Sequence, residues 1–161
     1  MIIILFGVTG SGKSTIGRLL AAELGWKFYD ADRFHPPGNV EKMSQGVALT
    51  DEDRRPWLES LCELLRTIAS RGEDAVLACS ALKESYRLRL ALCAEVRLVF
   101  LKGEFALIEK RLRERQGHFM DPRLLRSQFE TLEEPRGGAL VVDVEPGPSE
   151  IVKVIRSELK L

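Results

Sequence analysis

The segment GVTGSGKS at residues 7–14 decides the fold of this chain, because it matches the pattern G-x-x-x-x-G-K-[ST] in full. An apolar run precedes it and a helix-like stretch follows it, which is the structural context that the pattern requires. Its glycines let backbone N–H groups curl around an anion at a helix N-terminus, where side chains would block the approach. The segment therefore predicts a loop that binds the phosphates of a nucleoside triphosphate.

Two side chains of this loop have specific expected roles. Lys13 places a positive charge on the β- and γ-phosphates, and the Ser14 hydroxyl can ligate Mg²⁺. The residues expected to bind ATP in and after the loop are Gly7, Val8, Thr9, Gly10, Ser11, Gly12, Lys13, Ser14 and Thr15. A glycine-rich turn that matches the pattern by chance is the alternative interpretation.

Length and composition limit the classes of protein that this chain can represent. The chain of 161 residues is about one domain long, and its 24 Lys and Arg balance its 24 Asp and Glu. The totals therefore favour neither nucleic acid nor a membrane surface as a partner. No apolar run reaches the roughly 18 residues of a membrane span, and the first run lacks the features of a signal peptide. Cys62, Cys79 and Cys93 are widely spaced among apolar residues, which predicts buried reduced thiols in a cytoplasmic protein.

Short β-rich runs alternate with longer amphipathic stretches, which is typical of a parallel sheet with helices on both faces. We therefore expect one α/β domain over residues 1–161, of the P-loop NTPase fold with a parallel five-stranded sheet. The expected strands are residues 2–6, 27–30, 75–79, 96–101 and 139–144. The expected helices are residues 14–24, 40–45, 51–71, 83–92, 104–116, 124–129 and 149–159.

Two carboxylates follow the second expected strand, in Asp30-Ala31-Asp32. Residues spaced i, i+2 point the same way from an extended chain, and ligands of open α/β sheets bind at the carboxyl ends of the strands. Asp30 is therefore a candidate for the Mg²⁺ shell, and Asp32 is a candidate for orienting a substrate hydroxyl. The alternative interpretation is that the two aspartates only cap a helix or stabilise a turn.

Arginines mark two further candidate sites. Arg54 lies near the start of an expected helix, where the helix dipole favours acidic residues and disfavours a cation. Its presence there therefore suggests a functional role, and we expect it to bind an anionic substrate with Trp57 packed under it. Arg111 and Arg115 share a helix face and precede a glycine, as a mobile lid at about residues 111–135 would require. Solvated surface charge is the alternative at both places.

The chain resembles the gluconokinases, small P-loop kinases related to shikimate kinase. The blocks that carry the resemblance are GVTGSGKSTIG at 7–17, YDADRFHPPGNVEKMSQGVALTDEDRRPWL at 29–58, ACSALKESYR at 78–87, FLKG at 100–103 and RQGHFMDPRLLRSQFETLEEP at 115–135. The resemblance implies transfer of a phosphoryl group from ATP to D-gluconate, giving 6-phospho-D-gluconate, with Mg²⁺ as cofactor. It also implies a homodimer.

The resemblance assigns roles to individual residues of this sequence. Catalysis would fall to Lys13, Asp32 and Arg115, metal binding to Ser14 and Asp30, and ATP contacts in the lid to Arg111 and Arg115. The substrate would contact Asp32, His35, Asn39, Arg54, Ser80, Lys83 and Arg87. His118 and Gln128 fit the pattern without an assigned role.

Two other functions remain open at this point. A different small-molecule or nucleotide kinase would share the loop, the Asp-x-Asp and the lid, because these features establish only phosphoryl transfer. A non-enzymatic nucleotide switch would need base-reading and switch motifs, and the sequence contains neither N-K-x-D nor D-x-x-G. Turnover that depends on an acceptor separates a kinase from a switch.

Overall fold

A computed structural model describes residues 1–115 and 122–161 of the chain. Its centre is a parallel five-stranded sheet, as the sequence predicts; the strands, numbered β1 to β5 along the chain, lie in the order 2-3-1-4-5, which the sequence did not predict. The strands are β1 Ile2–Phe6, β2 Lys27–Asp30, β3 Ala75–Cys79, β4 Val96–Lys102 and β5 Ala139–Asp143. Parallel strands need long crossover connections, and the helices between the strands supply them.

Seven helices occupy the described part of the chain. They are α1 Lys13–Leu24, α2 Pro37–Ser44, α3 Asp51–Ser70, α4 Glu84–Cys93, α5 Phe105–Glu114, α6 Pro122–Thr131 and α7 Pro148–Leu159. The main difference from expectation is that α2 begins at Pro37, three residues earlier than predicted. Proline is favourable in the first turn of a helix, because its fixed φ suits the helix and the N–H that it lacks would have no partner there. A short 3-10 helix at Ala31–Phe34 was not expected. None of the described helices is long and apolar enough to cross a membrane.

Strand β1 lies in the middle of the sheet, and all of its side chains are buried. Its residues alternate between two apolar cores, one on each face of the sheet. Helices α3 and α4 cover one core, and α1, α5, α6 and α7 cover the other. Burial on both faces explains the continuous apolar run that precedes the loop.

The phosphate loop connects β1 to α1 and depends on its glycines for space. A Cβ atom on Gly7 would lie 2.8 Å from the Leu101 carbonyl oxygen. A Cβ atom on Gly10 would lie 2.9 Å from Cγ of Leu112, and the φ of 75° at Gly10 is in the left-handed region. The loop can therefore follow this path only with glycine at these positions.

The cysteine prediction is wrong for two of the three residues. Cys62 on α3 and Cys93 on α4 form a disulfide, with their Cα atoms 5.4 Å apart, and only Cys79 is a free, buried thiol. Sequence spacing could not reveal the pair, because the two cysteines are 31 residues apart. Disulfides are typical of oxidising compartments, so cysteine usage no longer argues for the cytoplasm.

Candidate active site

Two neighbouring cavities lie at the carboxyl ends of the strands. The loop cavity, about 470 Å³, is lined by Thr9, Gly10, Gly12, Lys13, Ser14, Thr15, Arg18, Asp30, Asp32, Ala78, Arg111, Leu112 and Arg115. The helix cavity, about 290 Å³, is lined by Thr9, Lys13, Asp32, His35, Met43, Ser44, Ala48, Leu49, Arg54, Ser80, Leu82, Leu124, Ser127 and Gln128. Thr9, Lys13 and Asp32 line both cavities, so these residues mark the place where the contents of the two would meet.

Lys13 lies at this junction with its ammonium group turned back onto the loop. Its Nζ donates to the Val8 carbonyl oxygen at 2.7 Å. Burial lowers the pKa of Lys13 below its usual value, against the opposing effect of the Asp32 and Asp30 carboxylates. A partly desolvated ammonium interacts strongly with any anion that enters the loop cavity.

Six of the nine loop residues expected to bind ATP line the loop cavity, from Thr9 to Thr15 without Ser11. Gly7, Val8 and Ser11 do not line it, and the side chains of Val8 and Ser11 are buried beneath the loop. Their backbone groups bond within the protein, since the Gly7 N–H donates to the Ser80 carbonyl oxygen and the Ser11 N–H donates to the Val8 carbonyl oxygen, so these three residues shape the loop.

Ser14 and Asp30 form a pair of oxygen donors at the edge of the loop cavity. The Ser14 hydroxyl donates to Oδ2 of Asp30 at 3.1 Å, and Oδ1 of Asp30 accepts the Asp32 backbone N–H at 3.0 Å. Hard oxygen donors of this kind suit Mg²⁺, which takes few protein ligands and completes its shell with water and substrate phosphates. Residues 1–115 and 122–161 contain no cluster of three or more His, Cys, Asp or Glu that could hold a metal.

His35 lies in the helix cavity as a neutral imidazole with a defined tautomer. Its ring stacks on Trp57 with centroids 4.5 Å apart. Asn39 Nδ2 donates to the Asp53 carbonyl oxygen at 2.7 Å and lies 3.2 Å from His35 Nδ1, so Nδ1 accepts and the proton is on Nε2. Burial, followed by the charge of Arg54, lowers the pKa of His35 to about 4. Asn39 therefore orients His35 and does not itself line the cavity, and its expected contact with substrate stays a prediction.

The depressed pKa of His35 predicts a pH dependence of stability. The unfolded chain gains a proton on this residue below about pH 6.5 and the folded chain does so only near pH 4, so the free energy of unfolding falls as the pH is lowered through this window. In His35→Gln the melting temperature should fall less between pH 7 and pH 5 than in the wild type. Thermal unfolding at several pH values measures both slopes, and parallel curves would contradict the assignment.

Arg54 lines the helix cavity, as its expected role in binding an anion requires. Its Nη1 donates to the Tyr86 hydroxyl at 3.3 Å, and its guanidinium lies 5.7 Å from the centre of that ring. Tyr86 in turn donates a hydrogen bond to Asp51. The aromatic neighbour of Arg54 is thus Tyr86, and the prediction that Trp57 packs under Arg54 is wrong, because the Trp57 ring stacks on His35 and donates to the Ala31 carbonyl.

The residues expected to contact substrate at the end of β3 divide into two groups. Ser80 lines the helix cavity, but Lys83 and Arg87 do not. Lys83 Nζ forms an ion pair with Asp51 at 2.8 Å. The buried guanidinium of Arg87 donates to the carbonyl oxygens of Ala81, Leu82 and Glu133. Both cations therefore support the structure around the cavity, and their expected contacts with substrate stay predictions.

Both expected lid arginines line the loop cavity. Arg111 Nη1 donates to the Val144 carbonyl at 2.6 Å and Nη2 donates to the Glu145 carbonyl at 3.1 Å, so this side chain is tied to the segment after β5. Local ion pairing on α5 involves other cations, in the pairs Arg113–Glu109 and Lys110–Glu114. Residues 116–121 of the expected lid, including His118, lie outside the described residues.

Sequence reasoning missed most of the wall of the helix cavity. The residues that it did not assign to this site are Met43, Ser44, Ala48, Leu49, Leu82, Leu124, Ser127 and Gln128. The i, i+3, i+4 spacing of the last three on α6 places them on one helix face, which was the available signal. Arg18 was likewise missed in the loop cavity.

Comparisons with known proteins show the family to which this chain belongs. The family model described as shikimate kinase matches residues 9–136. The thermosensitive gluconokinase of Escherichia coli (strain K12) is 47% identical over 135 residues, which are 83% of this chain and 72% of that protein. The gluconokinase of Gluconobacter oxydans (strain 621H) is 45% identical over 143 residues, which are 88% of this chain and 80% of that protein. This chain belongs to the gluconokinases, within the shikimate kinase family.

A solved structure extends this similarity to three dimensions. The crystal structure of a gluconokinase from Sinorhizobium meliloti 1021 has a TM-score of 0.90 and 43% sequence identity with this kinase. The similarity covers 98% of this chain and 90% of that one. The fold, the enzyme class and the resemblance inferred from the sequence are therefore confirmed.

Proposed function

We propose that this kinase transfers the γ-phosphoryl group of ATP to D-gluconate and releases ADP and 6-phospho-D-gluconate. The observation that carries the proposal is the junction of the two cavities at Thr9, Lys13 and Asp32. The loop cavity has the backbone and cation of a phosphate site, and the helix cavity has a guanidinium with several polar groups. The gluconokinase relatives support the choice of acceptor.

The proposed reaction is an in-line displacement at the junction. The oxygen of the acceptor hydroxyl forms a bond to the γ-phosphorus, while the bond from that phosphorus to the β,γ-bridging oxygen breaks and its electron pair leaves with ADP. Asp32 orients the hydroxyl and accepts its proton. Lys13 leaves the Val8 carbonyl to stabilise the β- and γ-phosphates, and Arg115 neutralises charge from the other side of the loop cavity.

The nucleotide side of the site is completed by the rest of the loop and by the metal. We assign the phosphates to the backbone of residues 7–15 and further ATP contacts to Arg111 and Arg115. Ser14 and Asp30 would hold Mg²⁺, which supplies charge neutralisation on the phosphates when bound.

The acceptor side offers groups that match a polyhydroxy acid. Arg54 can bind the carboxylate, and Ser80 and Asp32 can bond to hydroxyls. The neutral His35 donates from Nε2, because Nδ1 already accepts from Asn39. A site with several hydroxyl partners rejects analogues that lack those hydroxyls, because its polar groups are then left unpaired.

We also propose that residues 1–161 form a single kinase domain whose lid, at about residues 111–135, covers the nucleotide site. We further propose that the protein is a homodimer, and we place it in the cytoplasm as a small kinase of soluble metabolites. The balanced charge of the chain supports a small-molecule partner in preference to nucleic acid or a membrane surface.

The function is tested by ADP release from the purified protein with Mg-ATP and a panel of acceptors. The panel contains D-gluconate, other sugar acids, shikimate and nucleoside monophosphates. We expect strong stimulation by D-gluconate and little by the others. Stimulation by another acceptor alone would reject the sugar-acid assignment, and nucleotide binding without any acceptor-dependent turnover would reject the kinase.

A further inference from the structure

Gln128 joins the phosphate loop to the helix cavity, although the reaction described above gives it no role. Its Oε1 accepts the backbone N–H of Thr9 at 2.6 Å, across 119 residues of sequence. Gln128 also lines the helix cavity, and Thr9 lines both cavities. A single side-chain amide therefore contacts the loop that binds phosphate and faces the space that holds the acceptor.

The orientation of this amide follows from its partner. A backbone N–H can only donate, so the atom of Gln128 that faces Thr9 is the oxygen. The planar amide then directs Nε2 and its two hydrogens away from Thr9. A donor that is fixed in this way is suited to a hydroxyl or carboxylate oxygen in the adjoining helix cavity.

Helix α6 holds Gln128 in place because apolar residues before and after Gln128 in the sequence pack into the core. Leu125 is buried in the core that contains Val8. Phe129 packs edge-on against Phe105 with ring centroids 5.2 Å apart. A side chain carried by a packed helix loses less entropy on binding a ligand than one on a free loop.

The end of α6 is also anchored, to the turn that follows β3. The Glu133 backbone N–H donates to the Leu82 carbonyl at 2.9 Å, and Arg87 Nη2 donates to the Glu133 carbonyl at 2.8 Å. Arg87 thus acts on the acceptor site indirectly, through the segment that positions Gln128. The fold therefore anchors the C-terminal end of this wall of the helix cavity.

We propose that Gln128 is an acceptor-positioning residue that bonds to the phosphate loop through Oε1 and donates from Nε2 to an oxygen of the polyhydroxy acid. The inference rests on the proposed function, because it concerns the acceptor of the same reaction. The two bonds of one amide set the distance between the acceptor and the loop. Proper placement of the attacking hydroxyl then depends on Gln128 as well as on Asp32.

Gln128→Glu tests the donor, because it keeps an oxygen that can accept from Thr9 and replaces Nε2 with an acceptor. We expect kcat/KM for D-gluconate to fall about tenfold, with KM for ATP changed less than twofold. Glu130→Gln is the matched control, since it exchanges the same residue types at an exposed position two residues along α6. Unchanged kcat/KM for D-gluconate in Gln128→Glu, or an equal loss in the use of ATP, would overturn the proposal.

A series of substrate analogues gives a second test, which distinguishes a direct contact between Gln128 and the acceptor from a purely structural role of Gln128. Removing the hydroxyl that Nε2 contacts should cost the wild type about tenfold in kcat/KM and cost Gln128→Met nothing further. Monodeoxy analogues of gluconate, assayed with both proteins, identify that hydroxyl. Equal penalties in both proteins for every analogue would overturn the inference. If the wild type uses a different acceptor, the same series is built on that compound, so the function and the inference fail separately.

Discussion

Replacing Lys13 by alanine is expected to lower kcat with D-gluconate by about 10³-fold, which is the largest loss predicted for this kinase. The ammonium lies at the junction of the two cavities, where burial strengthens its interaction with phosphate. Its Nζ donates to the Val8 carbonyl, a weak neutral acceptor that the phosphates would replace. Steady-state ADP release at saturating substrates measures the loss directly.

The control for this experiment is Lys153→Ala. Lys153 is an exposed lysine on α7 that forms an ion pair with Glu150, and its removal should leave kcat unchanged. Melting temperatures of both variants establish that each is folded. Turnover of Lys13→Ala within tenfold of the wild type would mean that the loop does not bind the transferred phosphoryl group as assigned.

The sheet and the loop could be predicted from the sequence because both depend on local patterns. Five apolar runs separated by amphipathic stretches leave few alternatives to a parallel sheet with helices on both faces. The loop pattern then places the nucleotide site at one edge of that sheet. The positions of Asp30, Asp32 and Ser14 follow from this topology alone, and the structure brings them together.

The direction of individual side chains could not be predicted in the same way. Arg87 belongs to a block that resembles the family pattern, but its partners include Glu133, which is 46 residues away. Trp57 was expected to pack under Arg54, three residues away, but its ring stacks on His35, which is 22 residues away in the sequence. Long-range contacts of this kind decide whether a polar residue faces the substrate or stabilises the segments that surround the cavity.

Replacing Asp32 by asparagine is expected to lower kcat by about 10²-fold or more and to change the affinity for ATP less than threefold. Asparagine keeps the shape of the side chain but cannot take the proton of the acceptor hydroxyl. Asp30 remains in place with its bond to Ser14, so the oxygen donors proposed for Mg²⁺ are retained. The loss should therefore appear in the chemical step and not in nucleotide binding.

Rapid-quench measurement of a single turnover, together with titration of a fluorescent ATP analogue, separates these two effects. Asp74→Asn is a matched control, because Asp74 immediately precedes β3. It therefore lies at the amino-terminal ends of the strands, whereas the two cavities lie at their carboxyl ends. If Asp32→Asn lost affinity for ATP and rate in equal measure, Asp32 would belong to the nucleotide side. The acceptor hydroxyl would then need a different partner, and Ser80 and His35 are polar residues of the helix cavity that could supply it.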